Sequence, residues 1–62
     1  MPERPTEPMI VAVARRRYQR AHPWAPAHTW DWLPPAVQGP WLHEARADLE
    51  AAFAAVTEED GA

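Results

Sequence analysis

Apolar residues recur every three to four positions in the second half of the chain, from Trp41 to Val56. A turn of about 100° per residue places them on one arc of about 120°, whereas the charged and polar residues fall outside it. The arc contains Leu42, Ala45, Leu49, Ala52, Phe53 and Val56. This pattern predicts an amphipathic helix over residues 40–57.

A second apolar face lies nearer the amino end and predicts a helix over residues 8–21. It is formed by Ile10, Val13, Ala14, Tyr18 and Ala21. Thr6 is a suitable N-cap, and Pro8 falls in the first turn, where its missing N–H costs nothing. His22 precedes Pro23, whose ring disfavours the helical conformation of the residue before it, so the helix should end there.

The segment between these helices, HPWAPAHTWDW over residues 22–32, contains three of the four tryptophans and two prolines. Proline lacks an N–H and fixes φ, so we predict an irregular connector whose aromatic side chains fold back onto a helix. Pro34 and Pro35 open the second helical region, and Gly39 and Pro40 interrupt it. Two arrangements follow: a short third turn at residues 35–38 before the main helix, or one helix bent at Pro40.

The predicted fold class is therefore all-α: a small helical hairpin of two main helices, with a Trp/Pro-rich connector over one end. Residues 6–57 should form a single domain, flanked by a disordered tail at residues 1–5 and a disordered acidic tail at residues 58–62. The predicted core consists of Ile10, Val13, Tyr18, Trp30, Leu33, Trp41, Ala45, Leu49, Phe53 and Val56. Within it we expect Trp41 and Leu49 to be the centre.

The residue types argue against catalysis and against a bound metal or cofactor. With no cysteine among 62 residues, disulfides and thiolate zinc sites are excluded, and the hydroxyl side chains other than Tyr18 are three threonines. Two glycines build no phosphate-binding loop. His22, His28 and His43, with Asp31 and Glu44, match no zinc spacing, so we expect loop residues and turn caps. We predict a non-enzymatic protein.

Charge is unevenly distributed, although the net charge is only −3. Residues 1–22 hold five arginines against two glutamates (+3), and residues 41–62 hold one arginine against six carboxylates (−5). Arg15, Arg16 and Arg20 occupy the solvent side of the first helix, together with Gln19. With Arg17, His22 and Trp24 these arginines form a basic cluster that either binds phosphates and stacks a base or pairs with Glu44, Asp48 or the acidic tail. Arg17 falls inside the apolar arc instead.

Arg17 should have a structural role, because its guanidinium can lie over a tryptophan face while bonding Asp31 or Asp48. Among the tryptophans, Trp24 and Trp32 are the candidates for partner binding, together with Arg15, Arg16 and Arg20. Tryptophan dominates binding hot spots at protein interfaces. Small side chains on the second helix also favour a four-helix dimer, namely Ala47, Ala51, Ala54 and Ala55.

The leading function predicted from these residues is that of a small accessory or regulatory protein acting through protein binding or self-assembly. The alternative is a nucleic-acid-binding module that uses the Arg-rich first helix. No apolar run approaches the roughly 20 residues that span a bilayer, so we expect no membrane partner and a cytoplasmic location. Arginine as the sole basic residue type and thirteen alanines are typical of a GC-rich bacterium or its phage.

The spacing Trp30-x2-Leu33-x7-Trp41-x3-Ala45, with Pro40 before the second aromatic residue, is similar to the start of the last helix of the HMG box. The segment ARRRYQRAHP also resembles the end of that family's first helix. The family has a complete middle helix where residues 23–29 are short and proline-rich, and its minor-groove wedge has no counterpart here. DNA bending is therefore not implied.

The same residues, continued to Leu49 as W-x2-L-x7-W-x3-A-x3-L, also resemble short helical proteins of actinobacteria and their phages. This second resemblance covers residues 30–53. It implies a helical fold and no particular biochemistry.

Overall fold

The computed structural model describes the backbone of residues 4–61 and the side chains of residues 4–56. Within that range the chain forms three helices and no strand: α1 (Glu7–Ala21), α2 (Thr29–Trp32) and α3 (Pro35–Gly61). Helices α1 and α3 pack against each other. The all-α hairpin is confirmed, and the two predicted tails lie largely outside the described side chains.

The ends of α1 follow from local sequence. Thr6 has extended backbone angles, and its hydroxyl accepts a hydrogen bond from the Met9 N–H at 3.4 Å. Pro8 lies in the first turn, as predicted. At the other end His22 leaves the helical conformation, and its N–H donates to the Tyr18 carbonyl at 2.9 Å. Pro23, the next residue, explains why the helix stops there.

The prediction of a wholly irregular connector is wrong, because α2 forms one helical turn within it. No proline occurs from residue 27 to residue 33, so the backbone N–H groups of this stretch remain available. The Thr29 N–H donates to the Pro26 carbonyl at 3.0 Å, and the Asp31 N–H donates to the His28 carbonyl at 3.1 Å. Leu33 returns to extended geometry before Pro34, and α2 ends.

Helix α3 is continuous through Pro40, so the separate turn at residues 35–38 does not occur. A proline at this position removes the hydrogen bond to the Ala36 carbonyl and normally crowds the residue before it. That residue is Gly39, which has no Cβ to meet the proline ring. The helix also extends to Gly61 rather than ending at residue 57.

The buried core is smaller than predicted and is centred elsewhere. Ile10, Ala14, Trp30 and Ala45 are buried, with Trp30 only 4% exposed. Half-buried side chains surround them: Val13, Tyr18, Leu33, Trp41, Leu42 and Leu49. Trp41 and Leu49 therefore lie at the edge of the core rather than at its centre, and Phe53 is half-buried.

Val56 is 51% exposed, so its assignment to the core is wrong. The cause is the difference in length between the two helices that pack together. At 1.5 Å per residue, the 15 residues of α1 span about 22 Å and the 27 residues of α3 about 40 Å. The apolar stripe of α3 thus continues past the start of α1 at Glu7. Over the residues described, none of the three helices is long and apolar enough to cross a bilayer.

Candidate interaction surface

The four tryptophans divide into two structural classes. Trp30 is buried and Trp41 is half-buried, whereas Trp24 is 77% exposed and Trp32 is 79% exposed. The burial of Trp30 and Trp41 agrees with their predicted place in the core, and partner binding by Trp24 and Trp32 stays a prediction. We call Trp24 and Trp32 the connector tryptophans. Trp24 precedes α2 and Trp32 is its last residue, at the end of the hairpin where α1 ends and α3 begins.

The surface around the connector tryptophans is apolar and nearly free of charge. We call it the connector end; its exposed residues are Pro23, Trp24, Pro26, Ala27, His28, Asp31, Trp32, Pro34, Pro35, Ala36 and Val37. Its one carboxylate, Asp31, accepts a hydrogen bond from Arg15 Nη2 at 3.1 Å. Surfaces that combine exposed aromatic residues with few charges are typical of the centres of protein interfaces.

Two glutamine side chains hold the backbone that carries the connector tryptophans. Gln19 Nε2 donates to the Ala25 carbonyl at 2.7 Å and to the His22 carbonyl at 3.3 Å, on either side of Trp24. Gln38 Nε2 donates to the Trp30 carbonyl at 2.7 Å, two residues before Trp32. The Ala25 carbonyl gains a donor in this way, while the His22 and Trp30 carbonyls, which already accept the Ala25 and Leu33 N–H groups, each accept a second hydrogen bond.

Sequence reasoning missed both glutamines, since it assigned Gln19 to solvent and gave Gln38 no role. A signal was nevertheless present. An irregular segment rich in proline has carbonyl groups that need donors, and a glutamine in the adjoining turn of each flanking helix can supply two.

An aromatic cluster connects Trp24 to the core. The His22 ring stacks on the Tyr18 ring, with centroids 4.3 Å apart, and meets the Trp24 ring edge-on at 5.4 Å. Tyr18 in turn meets Trp41 at 5.5 Å and Trp30 at 6.1 Å. Trp24 is therefore exposed to solvent on one side and supported by His22 on the other.

The predicted arginine set is divided by the fold. Arg15 pairs with Asp31 at the connector end, and Arg17 pairs with Asp48 of α3. Arg16 and Arg20 lie four residues apart on one side of α1, and we call them the arginine pair. Both are exposed, and neither forms an ion pair with the described residues. Arg15 is turned by about 100° from its neighbour Arg16, so the three do not form one basic patch.

The structure confirms one part of the prediction made for Arg17. It bonds Asp48, one of the two carboxylates that were proposed for it. The ring contacts found among residues 4–56 do not pair this guanidinium with a tryptophan, so the stacking part of the prediction is wrong. A third ion pair, from Arg46 to Glu7 at 2.7 Å, joins α3 to the start of α1.

Among residues 4–56, no three His, Asp or Glu side chains lie close enough together to hold a metal ion. His22 is the C-cap of α1, while His28 and His43 are exposed. Comparisons with protein families, with curated proteins and with solved structures show no match to this chain.

Proposed function

We propose that this protein is a small non-enzymatic accessory or regulatory protein that binds another polypeptide through its connector tryptophans. The observation that carries the proposal is that two indole side chains, both more than three-quarters exposed, project from backbone fixed by Gln19 and Gln38.

The energetics favour a partner on this surface. An indole buries about 150 to 250 Å² when covered, worth several kcal/mol at about 25 cal/mol per Å². Ordering a flexible loop would offset part of that gain. Here the glutamine bonds and the His22 support have ordered the backbone beforehand, so more of the burial is available for binding.

Several chemical features support a non-enzymatic role in the cytoplasm. The chain has neither cysteine nor serine, and the hydroxyl of Thr6 is already used as a helix cap. A cysteine-free chain suits a reducing compartment. Its arginine- and alanine-rich composition supports an origin in a GC-rich actinobacterium or its phage.

Binding of nucleic acid is the second candidate function, and the arginine pair is the observation in its favour. These two guanidinium groups are exposed and can reach phosphates, while Trp24 offers a face for base stacking. The support is weaker than for a polypeptide partner. Arg15 and Arg17 are engaged in ion pairs, and the net charge of the chain is −3.

Site-specific photo-crosslinking in the source cell tests the proposal. A photoreactive phenylalanine analogue replaces Trp24, and a matched variant carries it at Ala52, an exposed position on α3. We expect position 24 to yield a discrete polypeptide adduct that disappears when Trp32→Ala is added, and position 52 to lack this dependence. Adducts sensitive to nuclease would support the second candidate, and absence of any adduct at position 24 would contradict the proposal.

A further inference from the structure

We infer that the polypeptide covering the connector end is a second copy of this chain, packed side by side and antiparallel. This inference rests on the proposed function and names the partner of the connector tryptophans. In such a dimer each connector end meets the far half of the other copy's α3. The argument comes from charge, from shape and from the residues that face solvent on α3.

The two surfaces are complementary in charge. The arginine pair on α1 lacks a carboxylate partner within the described residues. Two glutamates of α3, Glu44 and Glu50, are also exposed, and we call them the glutamate pair. They form no ion pair with the described residues. Arginine–carboxylate pairs across an interface fix its register and exclude other orientations. A second copy supplies the missing partners for both pairs.

The surface of α3 between Glu44 and Glu50, which lie about 120° apart around the helix, suits an indole ring. Ala47, Ala51, Ala54 and Ala55 are all exposed, and their methyl side chains leave a flat apolar strip along the helix. A tryptophan laid on such a strip buries its face without meeting bulky neighbours. Because α3 is longer than α1, part of this strip lies beyond the start of α1 at Glu7.

The dimensions of the molecule select a side-by-side contact. Its long side measures 44 Å by 20 Å and its end measures 20 Å by 18 Å. A stable interface covers about 800 Å² on each partner. The long side offers that area, and the end offers less than half of it. An antiparallel pair also forms the same contact twice about one twofold axis, the commonest symmetry of soluble oligomers.

Light scattering and sedimentation over a wide dilution series test the inference with purified full-length protein. We expect twice the 7.0 kDa chain mass at high concentration. Trp24→Ala/Trp32→Ala should weaken the dimer at least about 100-fold, as for paired hot spots. Val56→Ala, an exposed change on α3 outside the alanine strip and the connector end, is the matched control and should leave the dimer unchanged.

Charge reversal tests the antiparallel arrangement directly. Arg16→Glu/Arg20→Glu alone and Glu44→Arg/Glu50→Arg alone should each weaken the dimer at least about 10-fold, because like charges then face each other. An equimolar mixture of the two variants should restore it. In the mixed dimer one contact keeps the native charges and the other has them exchanged. Circular dichroism verifies that all variants fold.

A wild-type chain that stays monomeric at every concentration overturns the inference. So does a dimer that withstands either charge reversal or the tryptophan changes, and so does a mixture that remains monomeric. These outcomes are distinct from failure of the proposed function. If the purified chain is monomeric while position 24 still crosslinks to a different polypeptide, the connector end binds a partner, and that partner is not a second copy.

Discussion

The imidazole of His22 lies nearly parallel to the phenol ring of Tyr18, with centroids 4.3 Å apart, and its Nδ1 is 3.1 Å from the carbonyl oxygen of the same tyrosine. A carbonyl oxygen only accepts hydrogen bonds, so Nδ1 carries a proton. The same carbonyl also accepts the His22 backbone N–H, which closes α1. One histidine thus ends a helix and supports the exposed Trp24.

His22→Ala should lower the free energy of unfolding by about 1 to 2 kcal/mol, because it removes the ring stack and the side-chain hydrogen bond. Urea unfolding followed by circular dichroism measures the change. His28→Ala is the matched control, since His28 is exposed and its side chain makes no cap hydrogen bond. Equal effects of the two substitutions would show that the stack contributes no stability.

Trp30→Ala should destabilise the fold by about 3 to 5 kcal/mol, most of what a domain of this size possesses. Trp41→Ala should cost less, since Trp41 is only half-buried. At concentrations that keep the chain monomeric, Trp24→Ala and Trp32→Ala should change stability by no more than about 0.5 kcal/mol. Thermal melts of the four variants rank them. A Trp30→Ala protein that melts with the wild type would contradict the core described above.

Gln38→Met keeps the length and bulk of the side chain but removes its donors, leaving the Trp30 carbonyl with the Leu33 N–H as its remaining donor. We expect a loss of about 1 kcal/mol and faster motion of the connector tryptophans. Gln19→Met should act in the same way near Trp24. Fluorescence anisotropy would report the motion of Trp32 only in a variant without the other tryptophans, and such a variant would lack Trp30, which is needed for folding. Fluorine NMR of 5-fluorotryptophan resolves each indole instead, and unchanged line widths would contradict a positioning role.

Arg17→Ala should cost about 0.5 to 1 kcal/mol through loss of the Asp48 ion pair, a small value because the Arg17 side chain is 36% exposed. Arg16→Ala should be neutral within about 0.5 kcal/mol. A double-mutant cycle with Asp48→Ala isolates the interaction. Coupling that is zero at low salt would show that the ion pair contributes nothing to folding.

Pro40→Ala should stabilise the protein by about 1 to 3 kcal/mol, since it returns a backbone donor to the Ala36 carbonyl. Gly39→Ala should bring little gain while Pro40 is present, because the added Cβ would face the proline ring. In the Pro40→Ala background the same change should gain about 1 kcal/mol, and space exists for the methyl group. Additive effects of the two substitutions in thermal melts would disprove this coupling.

The helix ends of α1 could be predicted because their causes are local. Thr6, Pro8 and Pro23 act on atoms only a few residues away, and the structure confirms each. The position of the core depends instead on which parts of the two helices overlap. Periodicity places Val56 on the apolar face of α3, yet it cannot show that α1 is too short to cover it.

The candidate site was predictable in its residues and only partly in its arrangement. Exposure of Trp24 and Trp32 agrees with their place in a proline-rich segment. The separation of Arg15 from the arginine pair depends on where the chain places Asp31, and α2 decides that. The glutamine bonds depend likewise on the path of the connector, which three-dimensional packing determines.

The proline within α3 also affects the order in which the chain folds. Helix growth proceeds residue by residue through successive backbone hydrogen bonds, and it is interrupted where a donor is missing. Growth from Trp41 towards the amino end therefore stalls at Pro40, and the first turn needs help from elsewhere. Gln38 provides that help when its amide reaches the Trp30 carbonyl. The first turn of α3 and the one turn of α2 should consequently form together, as one late cooperative unit that carries Trp32.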